Sequence, residues 1–182
     1  MRYFKKLVGE RVYLSPINPD DAEIYTKWVN DPEVTLTLGQ HKTIVSLNGE
    51  RAYLEQAAKQ GYNFAIIRLE DDALIGGISF HEINHESRKT TFGIFIGEAE
   101  NRGKGYGAEA IRLILDFGFN TLNLHNIGLT MHSDNEQGLA CYKKVGFREY
   151  GRRSEATFKR GRYYDIICME MLEDEFRELY GK

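Results

Sequence analysis

Residues 91–107 read Thr-Phe-Gly-Ile-Phe-Ile-Gly-Glu-Ala-Glu-Asn-Arg-Gly-Lys-Gly-Tyr-Gly, and no other stretch constrains the fold as tightly. An apolar strand pattern runs into a loop with three alternating glycines, Gly103, Gly105 and Gly107, and the loop runs into a helix. From Gly105 the apolar period changes: Ala108, Ile111, Ile114, Leu115 and Gly118 fall on one helical face, with Glu109, Arg112 and Asp116 elsewhere. Alternating glycines let the backbone curl with its N–H groups inward, and a helix start adds unpaired N–H groups and a partial positive charge. Arg102 and Lys104 add full charges. Together these features suit a diphosphate.

Helices and a meander precede the loop. Glu10 to Ile17 alternates Val12 and Leu14 with polar partners and is predicted as a strand. Asn18-Pro19-Asp20-Asp21 supplies an N-cap, a proline at the first helical position and acids in the first turn; the helix then runs to about Asn30, where Asp31-Pro32 ends it. A second helix is expected from Ser46 to Gln60. Tyr62 to Arg68, Ala73 to Ile83 and Lys89 to Ile96 read as strands joined by turns short enough for antiparallel hairpins.

After the loop and its helix come a strand over Asn126 to His132 and a helix over Glu136 to Val145, with Gly146 at the C-cap position. A closing hairpin (Phe147 to about Glu155, Tyr163 to Leu172) and a short helix from Glu173 to Tyr180 complete the chain. The helical crossover allows Lys89–Ile96 and Asn126–His132 to run parallel. The expected fold class is α/β of the α+β kind: one domain over residues 1–182, a mixed, mostly antiparallel sheet with helices on both faces.

At 182 residues the chain is about one domain long. Its 24 basic and 27 acidic residues leave a net charge of −3, which excludes a generic basic nucleic-acid binder. No apolar run reaches the roughly 18–20 residues of a membrane span, and the N-terminus lacks the apolar core of a signal peptide. Cys141 and Cys168 build no disulfide scaffold and suit a reducing compartment. The expectation is a cytoplasmic protein with no nucleic-acid or membrane partner. His41, His85, His125 and His132 show no metal-ligand spacing, so no metal is expected.

Three readings of the loop compete. A turn with two solvated basic residues needs no ligand. A dinucleotide fold is formally satisfied by Gly103-Lys104-Gly105-Tyr106-Gly107-Ala108, yet a Rossmann unit places its loop after an early strand, and this loop follows two helices and a meander. A Walker A loop needs Ser or Thr where Gly105 stands. The third reading accounts for the order of elements as well. Arg102-Gly103-Lys104-Gly105-Tyr106-Gly107 resembles the Q/R-x-x-G-x-G/A signature of the GNAT superfamily of N-acetyltransferases. Asn135, Tyr142, Lys144, Gly146 and Phe147 then fall in the register of the family's second motif, N-x-x-x-x-x-x-Y-x-K-x-G-F. Ile83-Asn84-His85 and Arg162-Tyr163-Tyr164-Asp165 resemble the spermidine acetyltransferases, within the branch that also acetylates ribosomal proteins.

The resemblance implies acetyl-CoA as cosubstrate and a primary amine as acceptor: a polyamine-like molecule, an amino sugar or a protein N-terminus. It implies a splayed parallel strand pair whose wedge takes the pantetheine arm. The arm's amides would continue the hydrogen bonding of Ile94, Phe95 and Ile96, and a backbone N–H there would polarise the thioester carbonyl. Arg102, Gly103, Lys104, Gly105, Tyr106 and Gly107 would hold the diphosphate, with Asn135 and Lys144 adding cofactor contacts. Tyr142 would donate a proton to the departing thiolate, and Glu82 would take one from the ammonium. Plainer roles stand beside these: buried strand for Ile94–Ile96, an ordinary N-cap for Asn135, core packing for Tyr142, a solvated charge for Glu82. In one departure, Thr91 occupies the place where polyamine acetyltransferases tend to carry an acid. A non-catalytic acyl-CoA sensor on the same fold and a dinucleotide-binding oxidoreductase are the alternatives, and a homo-oligomer is left open.

Overall fold

The computed structural model describes residues 2–38 and 43–181. In chain order the elements are β1 (Leu7–Val8), β2 (Val12–Pro16), α1 (Ala22–Val29), α2 (Pro32–Leu38), α3 (Leu47–Gln60), β3 (Asn63–Arg68), β4 (Leu74–Phe80) and β5 (Lys89–Ile96). They continue with α4 (Tyr106–Asp116), β6 (Asn126–His132), α5 (Glu136–Val145), β7 (Arg148–Lys159), β8 (Arg162–Leu172) and α6 (Glu173–Tyr180). The strand order is β1-β2-β3-β4-β5-β6-β8-β7. The β5–β6 pair is parallel, and β1–β2, β2–β3, β3–β4, β6–β8 and β7–β8 are antiparallel. This is the mixed α/β architecture that the sequence implies. Contacts group the residues into two compact units, one running to Ser79 and including Ile94–Leu113, the other formed by Phe80–Gly93 and the chain from Ile114 onward.

In the first unit Asn18 caps where the sequence places it, and Ser46, expected as the first residue of the second helix, is its N-cap instead. Asn18 Oδ1 accepts from Asp20 N–H at 3.1 Å, and Ser46 Oγ from Gly49 N–H at 3.1 Å. Pro19–Asp21 forms a 3₁₀ turn and the α-helix begins only at Ala22. Asp31-Pro32 ends α1 and also starts α2, a helix not expected from the sequence: Asp31 Oδ1 accepts from Glu33 N–H at 2.8 Å, with proline tolerated in the first turn. Phe95 packs edge-on against Tyr25 and Trp28, with ring centroids 6.0 and 5.9 Å away. A side chain at Gly107 would meet Ile94 and Ile96 at 3.9 Å. Neighbouring strand residues point to opposite faces, so α1 and α4 cover opposite faces of β5.

Glu109, in the first turn of α4, is 5% exposed. Its Oε1 accepts from the backbone N–H of Arg11 at 2.7 Å and of Val12 at 3.2 Å, and its Oε2 from Arg11 Nε at 3.1 Å. Gly9 is required beside it, since a Cβ there would stand 2.4 Å from Oε1.

The second unit is built on β6. Lys89, Thr90 and Thr91 pair in parallel with Asn126, Ile127 and Gly128, and β8 runs antiparallel along the whole of β6 from Asn126↔Leu172 to His132↔Ile166. The closing hairpin is longer than expected: β7 continues to Lys159 and turns on Arg160 (φ 50°) and Gly161 (φ 77°), a two-residue turn with the backbone twist that hairpins favour. The predicted strand over Ala73–Ile83 stops at Phe80 instead, because the chain turns and closes an isolated bridge between Asn84 and Lys89. Asn84 Oδ1 stabilises that turn by accepting from Ser87 N–H at 2.7 Å. Gly118 lets this part of the chain approach β6, since a Cβ there would stand 2.6 Å from Ile127.

Burial alone would push the Glu109 carboxyl pKa up, but the N–H groups of Arg11 and Val12 and the Arg11 guanidinium outweigh it and hold the pKa below the ordinary carboxylate value. A depressed folded-state value means stability that is present above the unfolded pKa and lost as pH falls through the folded one. Glu109→Ala is expected to cost ~2–4 kcal/mol in chemical denaturation at neutral pH, from the orphaned N–H groups and the lost charged acceptor. The gap to the parent chain should narrow below about pH 4, where the parent's carboxyl is itself protonated; an equal gap at both pH values would mean that Glu109 only packs.

Candidate active site

The loop between β5 and α4 is shaped by backbone geometry that only glycine adopts freely. Gly103 has φ 71° and Gly105 φ 86°. The Glu109 N–H donates to the Gly105 carbonyl at 3.1 Å, so the N–H groups of Tyr106, Gly107 and Ala108 lie ahead of the first helical bond. Arg11 borders them: its Nη1 donates to the Lys104 carbonyl at 2.8 Å, and its guanidinium carbon stacks 5.4 Å from the Tyr106 ring centroid. A Cβ at Gly105 would stand 2.9 Å from Arg11 Nη2. Free N–H groups, a fixed guanidinium and glycines that keep the space open fit a diphosphate.

Arg102 and Lys104 differ. Lys104 is exposed. The Arg102 guanidinium turns back on the chain, donating to the carbonyls of Ile96 at 3.2 Å and Gly97 at 2.6 Å, with Glu33 3.5 Å away. It therefore closes the strand-to-loop corner. Trp28 braces the same corner, its Nε1 donating to Glu98 at 3.0 Å while its ring lies where any side chain at Gly97 would go. Ile94, Phe95 and Ile96 are half-buried. Arg11 was not visible in the sequence as a partner of the loop; it lies 93 residues from Lys104, and no local pattern marks it.

In the second unit, Tyr142 sits on α5 between two rings, with centroids 6.1 Å from both Phe92 and Phe147. Burial, reinforced by Cys141 next to it, pushes its phenol pKa well above the ordinary value, so the hydroxyl keeps its proton. Among the described residues no hydrogen-bond partner is assigned to that hydroxyl. Asn135 caps α5, its Oδ1 accepting from Gly138 N–H at 2.9 Å, which leaves its amide N–H₂ for another partner. Lys144 is exposed in the last turn of the same helix.

Glu82 does not end a strand. It lies two residues past β4, exposed. His81 beside it is the more constrained group: its Nδ1 is 3.0 Å from Thr91 Oγ1, and its Nε2 lies 3.1 Å from where a Cβ of Gly93 would stand. His41 lies outside the described residues. Among the described residues no cluster of His, Cys, Asp or Glu is placed to hold a metal ion, and no helix is long and apolar enough to cross a membrane.

Residues 11–148 match the family described as acetyltransferase (GNAT) domain. The chain belongs to this family. It is 37% identical over 173 residues to a spermidine N(1)-acetyltransferase of Vibrio cholerae, covering 92% of this chain and 90% of the relative. It is 29% identical over 174 residues to the prophage-derived uncharacterized N-acetyltransferase YokL of Bacillus subtilis, covering 95% and 96%. Among solved structures, the spermidine N-acetyltransferase of Vibrio cholerae in complex with CoA and spermine superimposes with a TM-score of 0.83 at 25% identity, over 92% of this chain and 99% of that one.

Gly105→Val should weaken acetyl-CoA binding by about tenfold or more, since a branched side chain fills the space beside Arg11 and φ > 0 strains the backbone. Gly161→Val is the control. Gly161 has a similar φ of 77° with nothing within 4 Å of its Cβ position, so it carries the strain without the cradle. Calorimetric titration of both variants separates the effects; equal affinity for Gly105→Val and the parent chain would make this loop a turn only.

Proposed function

We propose that the chain transfers the acetyl group of acetyl-CoA to a primary amine, with a polyamine-like molecule as the favoured acceptor class. The observation that carries the reading is the phenol of Tyr142, set between Phe92 and Phe147 on the helix that Asn135 caps and protonated at neutral pH as a phenol ordinarily is. A protein that only stores or senses acyl-CoA has no use for a proton donor of this kind. The glycine cradle with Arg11, taken by itself, fits a diphosphate, and the named activity of the Vibrio cholerae relative supports the acceptor class.

Tyr142 donates its proton to the sulfur as the thiolate departs, and the proton left on the acylated nitrogen returns to it through water. Its role belongs to the transition state, where charge on sulfur develops, rather than to the binding of acetyl-CoA. Asn135 orients the arm through the amide hydrogens its cap leaves free, and Lys104 and Lys144 add screened charge at the surface.

A panel of polyamines, amino sugars and N-terminal peptides, read by thiol release, tests the acceptor. Tyr142→Phe should lower kcat by ~10²–10⁴-fold with acetyl-CoA affinity nearly unchanged. The thermal midpoint should move little, because the ring keeps its contacts with Phe92 and Phe147. Acetyl-CoA binding without thiol release for any amine would overturn transferase activity, and full turnover in Tyr142→Phe would remove the phenol from it.

A further inference from the structure

We infer that His81 is the catalytic base that takes the proton from the acceptor ammonium, in place of the adjacent Glu82; this assignment rests on the transferase reading above. The first support is placement. The parallel pairing of β5 with β6 ends at Thr91↔Gly128, and Gly93, over which the His81 ring lies, is two residues beyond that end. Ile94, the next residue, begins the strand segment assigned to the pantetheine arm. Glycine at 93 keeps the space beneath the imidazole open, since a side chain there would press on Nε2 at 3.1 Å.

The second support is orientation. With its proton on Nδ1 and donated to Thr91 Oγ1 at 3.0 Å, the ring presents the Nε2 lone pair over Gly93. Thr91 and Gly93 share one face of β5, whereas Phe92, which touches Tyr142, points to the other. Proton acceptor and proton donor therefore approach β5 from opposite faces.

The third support is charge state. Desolvation by the atoms packed around the ring lowers the imidazole pKa below the ordinary histidine value, so an exposed side chain presents a neutral base at physiological pH. The charged and titratable groups on its own turn are Glu82, His85, Glu86 and Arg88, and on β5 Lys89. Arg88 is engaged by Asn123 at 2.8 Å and Glu173 at 2.7 Å. Burial is the one cause of the His81 shift.

The protons balance. The ammonium gives one proton to His81 Nε2, and the free amine forms the C–N bond as the carbonyl closes to a tetrahedral centre. The C–S bond then breaks, and sulfur takes the Tyr142 proton. The second nitrogen proton returns to the phenoxide through water, and His81 releases its proton to solvent, for a net yield of amide, free thiol and one proton.

The test compares the pH dependence of kcat at saturating amine in the parent chain, His81→Ala, Glu82→Gln and the control His85→Gln, with acetyl-CoA affinity measured on each. The parent should lose turnover as pH falls through a value below roughly 6.5. His81→Ala should lose ~10²–10⁴-fold in kcat and that limb of the profile, recover part of the rate in added imidazole, and bind acetyl-CoA normally. His85→Gln should match the parent. Parent-like turnover in His81→Ala, or a loss confined to Glu82→Gln, would overturn the assignment. A parent chain that binds acetyl-CoA and acetylates no amine would instead overturn the transferase reading, and this assignment with it.

Discussion

The first unit depends on the carboxylate of Glu109. One oxygen takes the N–H groups of Arg11 and Val12, and the other takes Arg11 Nε, so the β1–β2 turn is fastened to the first turn of α4. Arg11 can then hold the Lys104 carbonyl and lie across Tyr106. The glycines make the loop's curl sterically allowed, but allowed is not fixed: a chain with φ > 0 at Gly103 and Gly105 has many neighbouring conformations open to it. Glu109 and Arg11 select one of them. They also bring a guanidinium to the cradle from a distant part of the sequence, and the carboxylate that neutralises part of its charge keeps the arrangement from opposing itself.

That coupling explains what the sequence disclosed and what it did not. The loop, its helix and the α5 motif were legible because each rests on local rules: glycine spacing, a 3.6-residue period, an asparagine cap, a left-handed glycine at 146. Arg11 was not, since its role exists only once the chain has folded back over more than ninety residues. Arg102 was legible as a charge but not as a clasp, because nothing in R-G-K-G-Y-G shows that the strand's own carbonyls lie within its reach. Asp31-Pro32 signals the end of a helix by local rules, although proline also starts helices, as it does here. The apolar pattern from Ala73 continues to Ile83 and so predicts a longer strand than Leu74–Phe80, while the bridge beyond it depends on Asn84 finding Lys89 across the turn. That error bears on the chemistry, since alternation along a strand would have forced His81 and Glu82 to opposite faces, and neither residue is in the strand.

One physical cause sets both proposed proton-transfer groups. Removing a group from water disfavours its charged form, and for a phenol the charged form is the deprotonated one, while for an imidazole it is the protonated one. Desolvation therefore raises Tyr142 and lowers His81, and both shifts reinforce the neutral form that each group favours at physiological pH, the phenol carrying a proton and the imidazole carrying a lone pair. The reaction begins with a cationic ammonium and passes through an anionic thiolate, and neither neutral group repels its partner on approach. The two residues also differ in what holds them. Tyr142 is fixed by rings that supply no hydrogen bond, so its hydroxyl is not diverted, whereas His81 is fixed through Nδ1 by Thr91, which leaves the other nitrogen available. In both, the contact that orients the side chain lies away from the atom that carries the proton.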